Sequence, residues 1–507
     1  MKSRCYGFLL FSVLLVVLAV CPAGAAQYMV GDRPLNLMGY ITQGGQWGMH
    51  NDYFTEKGFQ SALMNIFIEA QYKATDRLTF YGSGLFTTDW MYDLKHDDRS
   101  WNDKQFSESR DFQYMDDDDW QLIKELHVTY SSALGGFGSV MLRLGKQIVS
   151  WGEMDAIRIM DQINPLDDSR GPADVEFETT IIPIWLARLA YNQSLDNILM
   201  QEFGLEFVFN PNAEFIPTKR LRPGNDVAGI WAPEVLIPLG EPFPMDFAYL
   251  GHQVEFLDRP DTWDTDFFEY ALRLKLLMKD WLVTLNGFYG RSNTPVFKGR
   301  DPFVDFGMAY DGRLTLIPIV EGYYPRQKFV GVTINRDIPF MRFTPIGGIT
   351  PVFRLESLYA FDTTFTTNLD EFNEFDEFRF GFGLDWKVKF RFIPQQAAFS
   401  VGPQVFYSHV FDYPDEGIGG RKEDSLNWTL FLSSMYLNAK LVPAVFWWHD
   451  ADFHSDFLQF KVTYDYTNNW KITAGTNLFN GSQHDGNGFD AFNSKDAVFF
   501  KISYKWG

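Results

Sequence analysis

Apolar and polar residues alternate with a period of two along most of this 507-residue chain, and no other feature limits its fold so strongly. The segments 376–387 (DEFRFGFGLDWK), 457–466 (FLQFKVTYDY) and 470–480 (WKITAGTNLFN) place apolar residues at about every second position. A helix cannot collect such residues on one face, whereas a strand does so because successive side chains point to opposite faces. We therefore predict an all-β fold.

Segments with this pattern predict about 18 strands, with about 16 as the alternative count. Their predicted starts are residues 35, 60, 77, 121, 138, 184, 202, 267, 281, 326, 351, 376, 397, 427, 441, 457, 470 and 497.

The connections between these strands alternate between short and long. Short ones include 74–76, 135–136, 279–280 and 467–469, and long ones cover 89–119, 148–183, 210–266, 291–325 and 362–375. Short periplasmic turns and long outer loops are typical of outer-membrane β-barrels. The run 336–350 is longer than this rule predicts for its end of the barrel.

The composition fits strands that face lipid on one side. Aromatic residues make up 17% of the chain, including 50 Phe, yet the mean hydropathy is −0.18. After the N-terminal leader, no segment has the run of about 18 consecutive apolar residues that a transmembrane helix needs. We predict a single antiparallel transmembrane barrel over residues 26–507, because closure pairs every backbone polar group within lipid. A soluble β-propeller or β-helix is the alternative, but the sequence has no repeat of about 40–50 residues.

The N-terminus predicts export. Lys2 and Arg4 precede an apolar run over 8–20, and small residues follow at 23–26. This order is that of a secretory signal peptide, which we predict over residues 1–25.

Both cysteines, Cys5 and Cys21, lie in this leader, so the mature chain is predicted to have no disulfide and no cysteine-based site. A lipoprotein signal ending at Cys21 is the alternative, although the bulky Val20 is unfavourable before a lipid-modified cysteine. The net charge of −21 argues against nucleic acid as a partner, because phosphate binding needs a basic face. The final strand, 500–507, alternates up to an aromatic residue near the end, as strands recognised by barrel-assembly machinery do.

The strand faces opposite the apolar ones are predicted to line a lumen. An Arg or Lys turned toward lipid at the middle of a membrane costs about 2–4 kcal/mol, so these residues should point inward. The inward acids are Glu125, Glu356, Asp385 and Asp465. A basic lumen favours anions, and a purely structural ladder of ion pairs is an equal alternative. The pore-lining candidates are Arg143, Arg188, Arg273, Lys275, Arg354, Arg379, Lys387, Lys461, Lys471, Lys501 and Lys505.

The long loop 148–183 is predicted to fold inward and narrow this lumen. Gly152 permits a tight turn after the preceding strand, and Pro165 restricts Asn164 to extended geometry. A purely structural turn is the alternative. The constriction candidates are Trp151, Gly152, Glu153, Asp155, Asn164, Pro165 and Asp167.

The excess acid falls in predicted outer loops, at 116–119 and 370–377. Carboxylate oxygens suit Ca²⁺ or Mg²⁺, and such ions would bridge these loops to lipopolysaccharide. A solvated acidic loop is the favoured interpretation, and no cofactor or structural metal is predicted.

Catalysis is not predicted, although two histidine groups invite the question. His127 is expected to point inward with Glu125, and His449 and His454 lie near acids at a loop. Neither group has a recognised nucleophile or zinc spacing. We expect the protein not to be an enzyme.

Three motifs lie close together in one stretch: LRLGKQIVSWGE at 142–153, INPLD at 163–167 and IPIW at 182–185. They resemble the L-R-L-G-[RK]-Q, W-G-[EDK], I/V-N-P-x-D and I-P-x-W signature of a family of Gram-negative outer-membrane proteins classed as a domain of unknown function. Weaker similarity extends over most of the mature chain. The resemblance implies an outer-membrane barrel, and family members often accompany exporters of the resistance-nodulation-division (RND) type and periplasmic lipid carriers. It therefore implies hydrophobic or lipid-like cargo.

These observations predict an outer-membrane channel for a small anionic solute or a lipid-like amphiphile. The expected partners are outer-membrane lipid, lipopolysaccharide, the barrel-assembly machinery and a periplasmic lipid carrier or RND-type transporter. A barrel plugged by its own loops, serving as a surface anchor or as a partner of a periplasmic export system, is the alternative. An outer-membrane hydrolase is a weaker one.

Overall fold

The computed structural model describes residues 26–50, 57–91, 122–167, 180–197, 199–218, 247–249, 253–257, 259–308, 314–342, 350–368, 371–388, 399–414, 421–481 and 488–507. Within them the chain forms a closed barrel of 18 antiparallel strands, which confirms the predicted fold class. The strands are β1 (Arg33–Gly48), β2 (Leu63–Lys73), β3 (Leu78–Asp89), β4 (Ile123–Leu134), β5 (Gly138–Gln147), β6 (Ile184–Ser194), β7 (Glu202–Asn210), β8 (Glu269–Met278), β9 (Trp281–Arg291), β10 (Arg326–Asp337), β11 (Val352–Asn368), β12 (Glu371–Val388), β13 (Phe399–Val410), β14 (Asp424–Ser434), β15 (Leu441–Asp450), β16 (Ser455–Asp465), β17 (Trp470–Gly481) and β18 (Ala497–Trp506).

Each barrel strand pairs with its neighbours in the chain, and the first strand closes the sheet against the last. Tyr40 of β1 pairs with Lys505 of β18 on one side and with Phe67 of β2 on the other. The sheet of the wall therefore has no open edge, because its first and last strands pair with each other. Closure of this kind leaves no unpaired edge strand.

The two faces of the wall differ in the way that the alternation predicts. On β10, Val330 is 53% exposed, whereas its neighbour Phe329 is 2% exposed. On β8, Leu272 is 51% exposed and Ala271 is 3% exposed. At these positions the outward residues are apolar and uncovered, and the inward residues are covered by other parts of the chain.

One predicted loop is wrong. The run 362–375 is almost entirely paired, because β11 and β12 continue outward as a hairpin and leave only 369–370 between them. Phe365 and Phe375 pack with Tyr413 at 5.6–6.2 Å between ring centroids. The acidic residues 371–377 thus lie on a strand rather than in an outer loop, and 116–119 fall outside the described residues.

Other elements lie outside the barrel wall. The strands Ala26–Val30 and Gly58–Ser61 pair with β1. Val296–Met308 and Leu314–Tyr323, within the predicted loop 291–325, form a small sheet with Phe247–Tyr249 and Gln253–Phe256. The 3-10 helices among the described residues are Thr265–Phe267, Pro339–Met341 and Gly488–Phe492. Among the described residues, no helix has both the length and the apolar character to cross a membrane.

Candidate functional site in the barrel lumen

The segment that follows β5 lies against the inner face of the barrel wall. We call residues 148–167 the inner segment. Its apolar side chains are buried and form one core with inward residues of β6–β11 and β13. Burying each large apolar side chain contributes about 1.5–3 kcal/mol, so the inner segment is held by its own packing. Its buried apolar residues are Val149, Trp151, Met154, Ile159, Met160 and Ile163.

Glu356 of β11 binds the backbone of the inner segment. One carboxylate oxygen accepts the N–H groups of Glu153 and, at 2.9 Å, Met154. The other oxygen accepts the N–H of Met160 at 3.0 Å. The side chain is 0% exposed, and these bonds compensate its burial because a buried carboxylate must be hydrogen-bonded or paired.

Arg354 lies two residues earlier on the same inward face. Its guanidinium contacts the Asp155 carboxylate at 2.7 Å and that of Asp385 at 3.0 Å, and it also donates to the Glu153 carbonyl. The Gln404 amide of β13 donates to Asp155 at 2.7 Å. The predicted pore-lining Arg354 and the predicted constriction residues Glu153 and Asp155 are therefore in direct contact.

A tight turn in the inner segment depends on Asp161. Its carboxylate accepts the N–H groups of Trp151 at 2.5 Å and Gly152 at 2.7 Å, and the hydroxyl of Ser150 donates to it at 3.1 Å. A Cβ atom on Gly152 would lie 2.7 Å from an Asp161 carboxylate oxygen. The close approach of the Asp161 carboxylate, rather than the backbone angle, favours glycine at this position.

Asn164 links the two ends of the predicted loop by hydrogen bonds. Its side-chain oxygen accepts the Val149 N–H at 2.9 Å, and its amide donates to the carbonyls of Gln147 at 3.2 Å and Ile182 at 3.0 Å. The Pro165 carbonyl accepts the Ile182 N–H at 2.9 Å, and the Asp167 N–H donates to the Thr180 carbonyl at 2.7 Å. The predicted loop thus returns to the wall beside its starting point.

Trp151 packs against charged side chains of β6–β8. Its indole N–H donates to Glu206 at 2.8 Å, and Arg188 contacts the other Glu206 oxygen at 2.8 Å. The Arg273 guanidinium lies 6.0 Å from the Trp151 ring centroid, within cation–π range. Two of the predicted pore-lining arginines therefore support the inner segment.

Arg143 occupies the neighbouring part of the wall. It pairs with Arg188 across β5 and β6 and donates to the Thr129 hydroxyl at 3.0 Å. Glu125 accepts the Ile148 N–H at 3.2 Å, and the imidazole of the inward-facing His127 is 3.9 Å from Glu125. These groups surround the start of the inner segment.

The remaining basic candidates are spread around the wall. Lys275 contacts Glu202 at 3.3 Å, and Arg379 contacts the buried Glu377 at 2.7 Å. Lys387 of β12 pairs in register with Ser400 and is exposed. These three residues lie apart from the residues of β6–β8 that contact Trp151.

A separate basic surface lies on β16–β18. Lys461, Lys471 and Lys501, which we call the lysine face, are on the inward side, because their outward neighbours Val462 and Ile472 are 45 and 43% exposed. Lys461 pairs with Ala444 and a glycine, Lys501 with Thr473 and a second glycine, and Lys471 with Ser503 and the acidic Asp465. Since the inner segment's contacts lie on β4–β13, the lysine face on β16–β18 belongs to the opposite part of the lumen wall.

The second histidine group, His449 and His454, lies apart from this arrangement. His449 contacts Asp456 at 2.8 Å, and the same oxygen accepts the Trp447 indole N–H at 2.8 Å. Asp450 accepts backbone N–H groups of the turn that contains His454. Among the described residues, no group of three potential metal ligands occurs.

A family model for a protein of unknown function, DUF1302, matches residues 7–506. The chain belongs to the DUF1302 family. This confirms the resemblance inferred from the motifs, and the 142–185 motifs are now placed at β5, the inner segment and the start of β6.

The solved structures that are similar to this DUF1302 protein are outer-membrane barrels, and their sequences are only 10% identical to it. OccAB3 of Acinetobacter baumannii is 10% identical with a TM-score of 0.46, over 94% of this chain and 99% of that one. OccK1 (OpdK) of Pseudomonas aeruginosa is 10% identical with a TM-score of 0.44, over 93% and 98%. OmpT, an outer membrane protein of Vibrio cholerae, is 10% identical with a TM-score of 0.37, over 95% and 100%. No curated protein matches the chain.

Several residues of this site were not singled out from the sequence. Asp161, Glu206 and Gln404 hold the inner segment through side-chain contacts. The signal for Glu206 and Gln404 was their inward register on predicted strands, but neither residue type is distinctive alone. Asp161 follows the W-G pair in a loop, where the sequence gives no contact partner.

Proposed function

We propose that this DUF1302 protein is an outer-membrane channel of a Gram-negative bacterium, exported by its N-terminal leader. The proposed cargo is a small anionic solute or a lipid-like amphiphile. The closed wall supports membrane insertion, because its outward residues Val330, Leu272 and Ile472 are apolar and 43–53% exposed. Lipid would cover such a surface at no cost to backbone hydrogen bonding.

The observation that carries the channel proposal is the one-sided placement of the inner segment. Its contacts with Glu356, Arg354 and Gln404 fix it to one part of the wall. The lysine face lies on the other part, so the passage between them would be narrow and basic on one side. Rings or faces of basic side chains favour anions in a pore.

In this proposal the inner segment has a positioning role and the protein is not an enzyme. Its carboxylates Glu153, Asp155 and Asp161 are not proposed to act on solute, and Asp155 and Asp161 serve as hydrogen-bond acceptors or ion-pair partners. Barrel-assembly machinery, outer-membrane lipid and lipopolysaccharide are the proposed partners at the membrane.

A plugged barrel is the second candidate, and the dense packing of the inner segment favours it. Six buried apolar side chains and the three N–H groups bound by Glu356 would hold the inner segment firmly enough to obstruct the lumen. Such a barrel would act as a surface anchor or as a partner of a periplasmic lipid carrier or RND-type exporter.

Single-channel current in a planar bilayer under a potassium chloride gradient separates these candidates. A steady conductance with an anion-selective reversal potential is expected for the channel. A barrel that shows the gel-mobility change of a folded outer-membrane protein on heating, but conducts nothing, would contradict the channel and favour the plug. If the cargo is amphiphilic, octanoate should reduce the chloride current at lower concentration than acetate does; equal effects favour a small anion.

A further inference from the structure

A groove with a volume of 560 Å³ lies on the outward face of β13–β17. This volume falls within the range of about 300–1,000 Å³ that is typical of small-molecule sites. The groove belongs to the outer surface, because Phe460 and Val462 are 42 and 45% exposed. Its lining is mainly apolar and includes Val401, Leu432, Pro443, Val445, Phe460 and Val462.

The groove exists because short side chains meet at one level of the sheet. Val462 pairs with Pro443 on one side and with Ala474 on the other. The longer side chains of Leu432 and Phe460 stand beside them. The strand register therefore places a depression on this part of the outward wall.

One polar atom in the groove has no partner. Ser434 is 5% exposed and lines the groove, and its hydroxyl makes no hydrogen bond within the described part of the chain. A buried hydroxyl without a partner is unfavourable. A ligand with an acceptor at this position would satisfy the hydroxyl while its apolar part filled the groove.

We propose that the groove binds one acyl chain of a phospholipid, with the ester carbonyl accepting a hydrogen bond from Ser434. Ser434 ends β14 at the barrel end with short connections, and the next connection, 435–440, carries the exposed Lys440. That position suits an ester at the membrane interface and an anionic phosphate beyond it. The proposal rests on the membrane location, but it does not depend on conduction through the lumen.

Native mass spectrometry of the whole protein, refolded in detergent with palmitoyl-oleoyl phosphatidylglycerol, tests this site. The wild type should retain one lipid. Ala474→Phe should fill the groove and weaken retention by about tenfold. Ala70→Phe is the matched control, because Ala70 is an outward alanine of β2, two residues from Ile68, which is 47% exposed. This control should retain lipid as the wild type does.

Ser434→Ala is a second test of lipid binding, and it adds no bulk to the groove. It should lower lipid retention without changing the heat-dependent gel mobility of the barrel, because it removes only an unpartnered hydroxyl. Equal retention by all four proteins, or retention by none, would overturn the proposal. An oligomer mass that Ala474→Phe abolishes would also overturn it and assign the groove to a second copy of the chain. A channel that conducts but retains no lipid would contradict this site and leave the proposed function intact.

Discussion

The carboxylate of Glu356 accepts the backbone N–H of Met154 at 2.9 Å, although 202 positions separate the two residues in the chain. The same side chain binds the N–H groups of Glu153 and Met160. Three N–H groups of a loop would otherwise face a buried wall without partners. One strand residue therefore fixes the path of the inner segment inside the barrel.

Replacing Glu356 with Ala should loosen the inner segment. Each N–H group left buried and unpaired costs about 1–3 kcal/mol, so detachment of the inner segment becomes less unfavourable than in the wild type. Conductance in a planar bilayer should rise if the inner segment narrows the passage. Glu202→Gln is the matched control, since Glu202 contacts Lys275 rather than the inner segment. A correctly folded Glu356→Ala barrel with unchanged conductance would mean that the inner segment does not limit flow.

Replacing Gly152 with Ala should loosen the turn at Trp151. The added Cβ would meet the Asp161 carboxylate at 2.7 Å, so Asp161 must move and weaken its bonds to Trp151 and Gly152. Limited proteolysis should then cleave within 148–167 faster than in the wild type. Gly287→Ala is the control, because no atom lies within 4 Å of its added Cβ. Equal cleavage rates for both variants would contradict the close-packing role of Gly152.

Replacing Trp151 with Phe should destabilise the inner segment through one hydrogen bond. The indole N–H donates to Glu206 at 2.8 Å, and bonds to charged groups contribute about 1.5–3 kcal/mol. The urea midpoint of unfolding should fall. Trp386→Phe is a matched control, because the buried Trp386 indole N–H makes no hydrogen bond within the described residues. A larger loss for Trp386→Phe than for Trp151→Phe would show that ring size, rather than the bond to Glu206, sets the effect.

The strands could be predicted because their signal is local. Alternation along a few residues is enough to identify β10, which was predicted from 326 and begins at Arg326. The extension of β11 to Asn368 was missed for a physical reason. The β11–β12 pairing shifts register between Ala360 and Thr363 and between Thr366 and Asn368, with the extra residue on β11 each time, and such bulges interrupt a strict period of two.

The contacts of the inner segment could not be predicted because they are not local. Arg354 and Glu356 were expected to face inward from their register, and both do. Which loop atoms they meet depends on the closure of the whole barrel and on the path of 148–167. The predicted pore-lining residues therefore include arginines that contact the inner segment, such as Arg354, and the separate lysine face on β16–β18.

The lysine face should set the ion preference of the proposed channel. Lys461→Glu and Lys501→Glu each reverse one inward charge on β16 or β18, so the reversal potential under a salt gradient should shift toward cations, and the double variant should shift further. Lys279→Glu is the control, since Lys279 lies in the turn between β8 and β9 outside the wall strands. It makes the same charge change without facing the lumen. If all three variants conduct normally with the wild-type reversal potential, the lysine face does not select the solute, and the arginines beside Trp151 become the next charges to test.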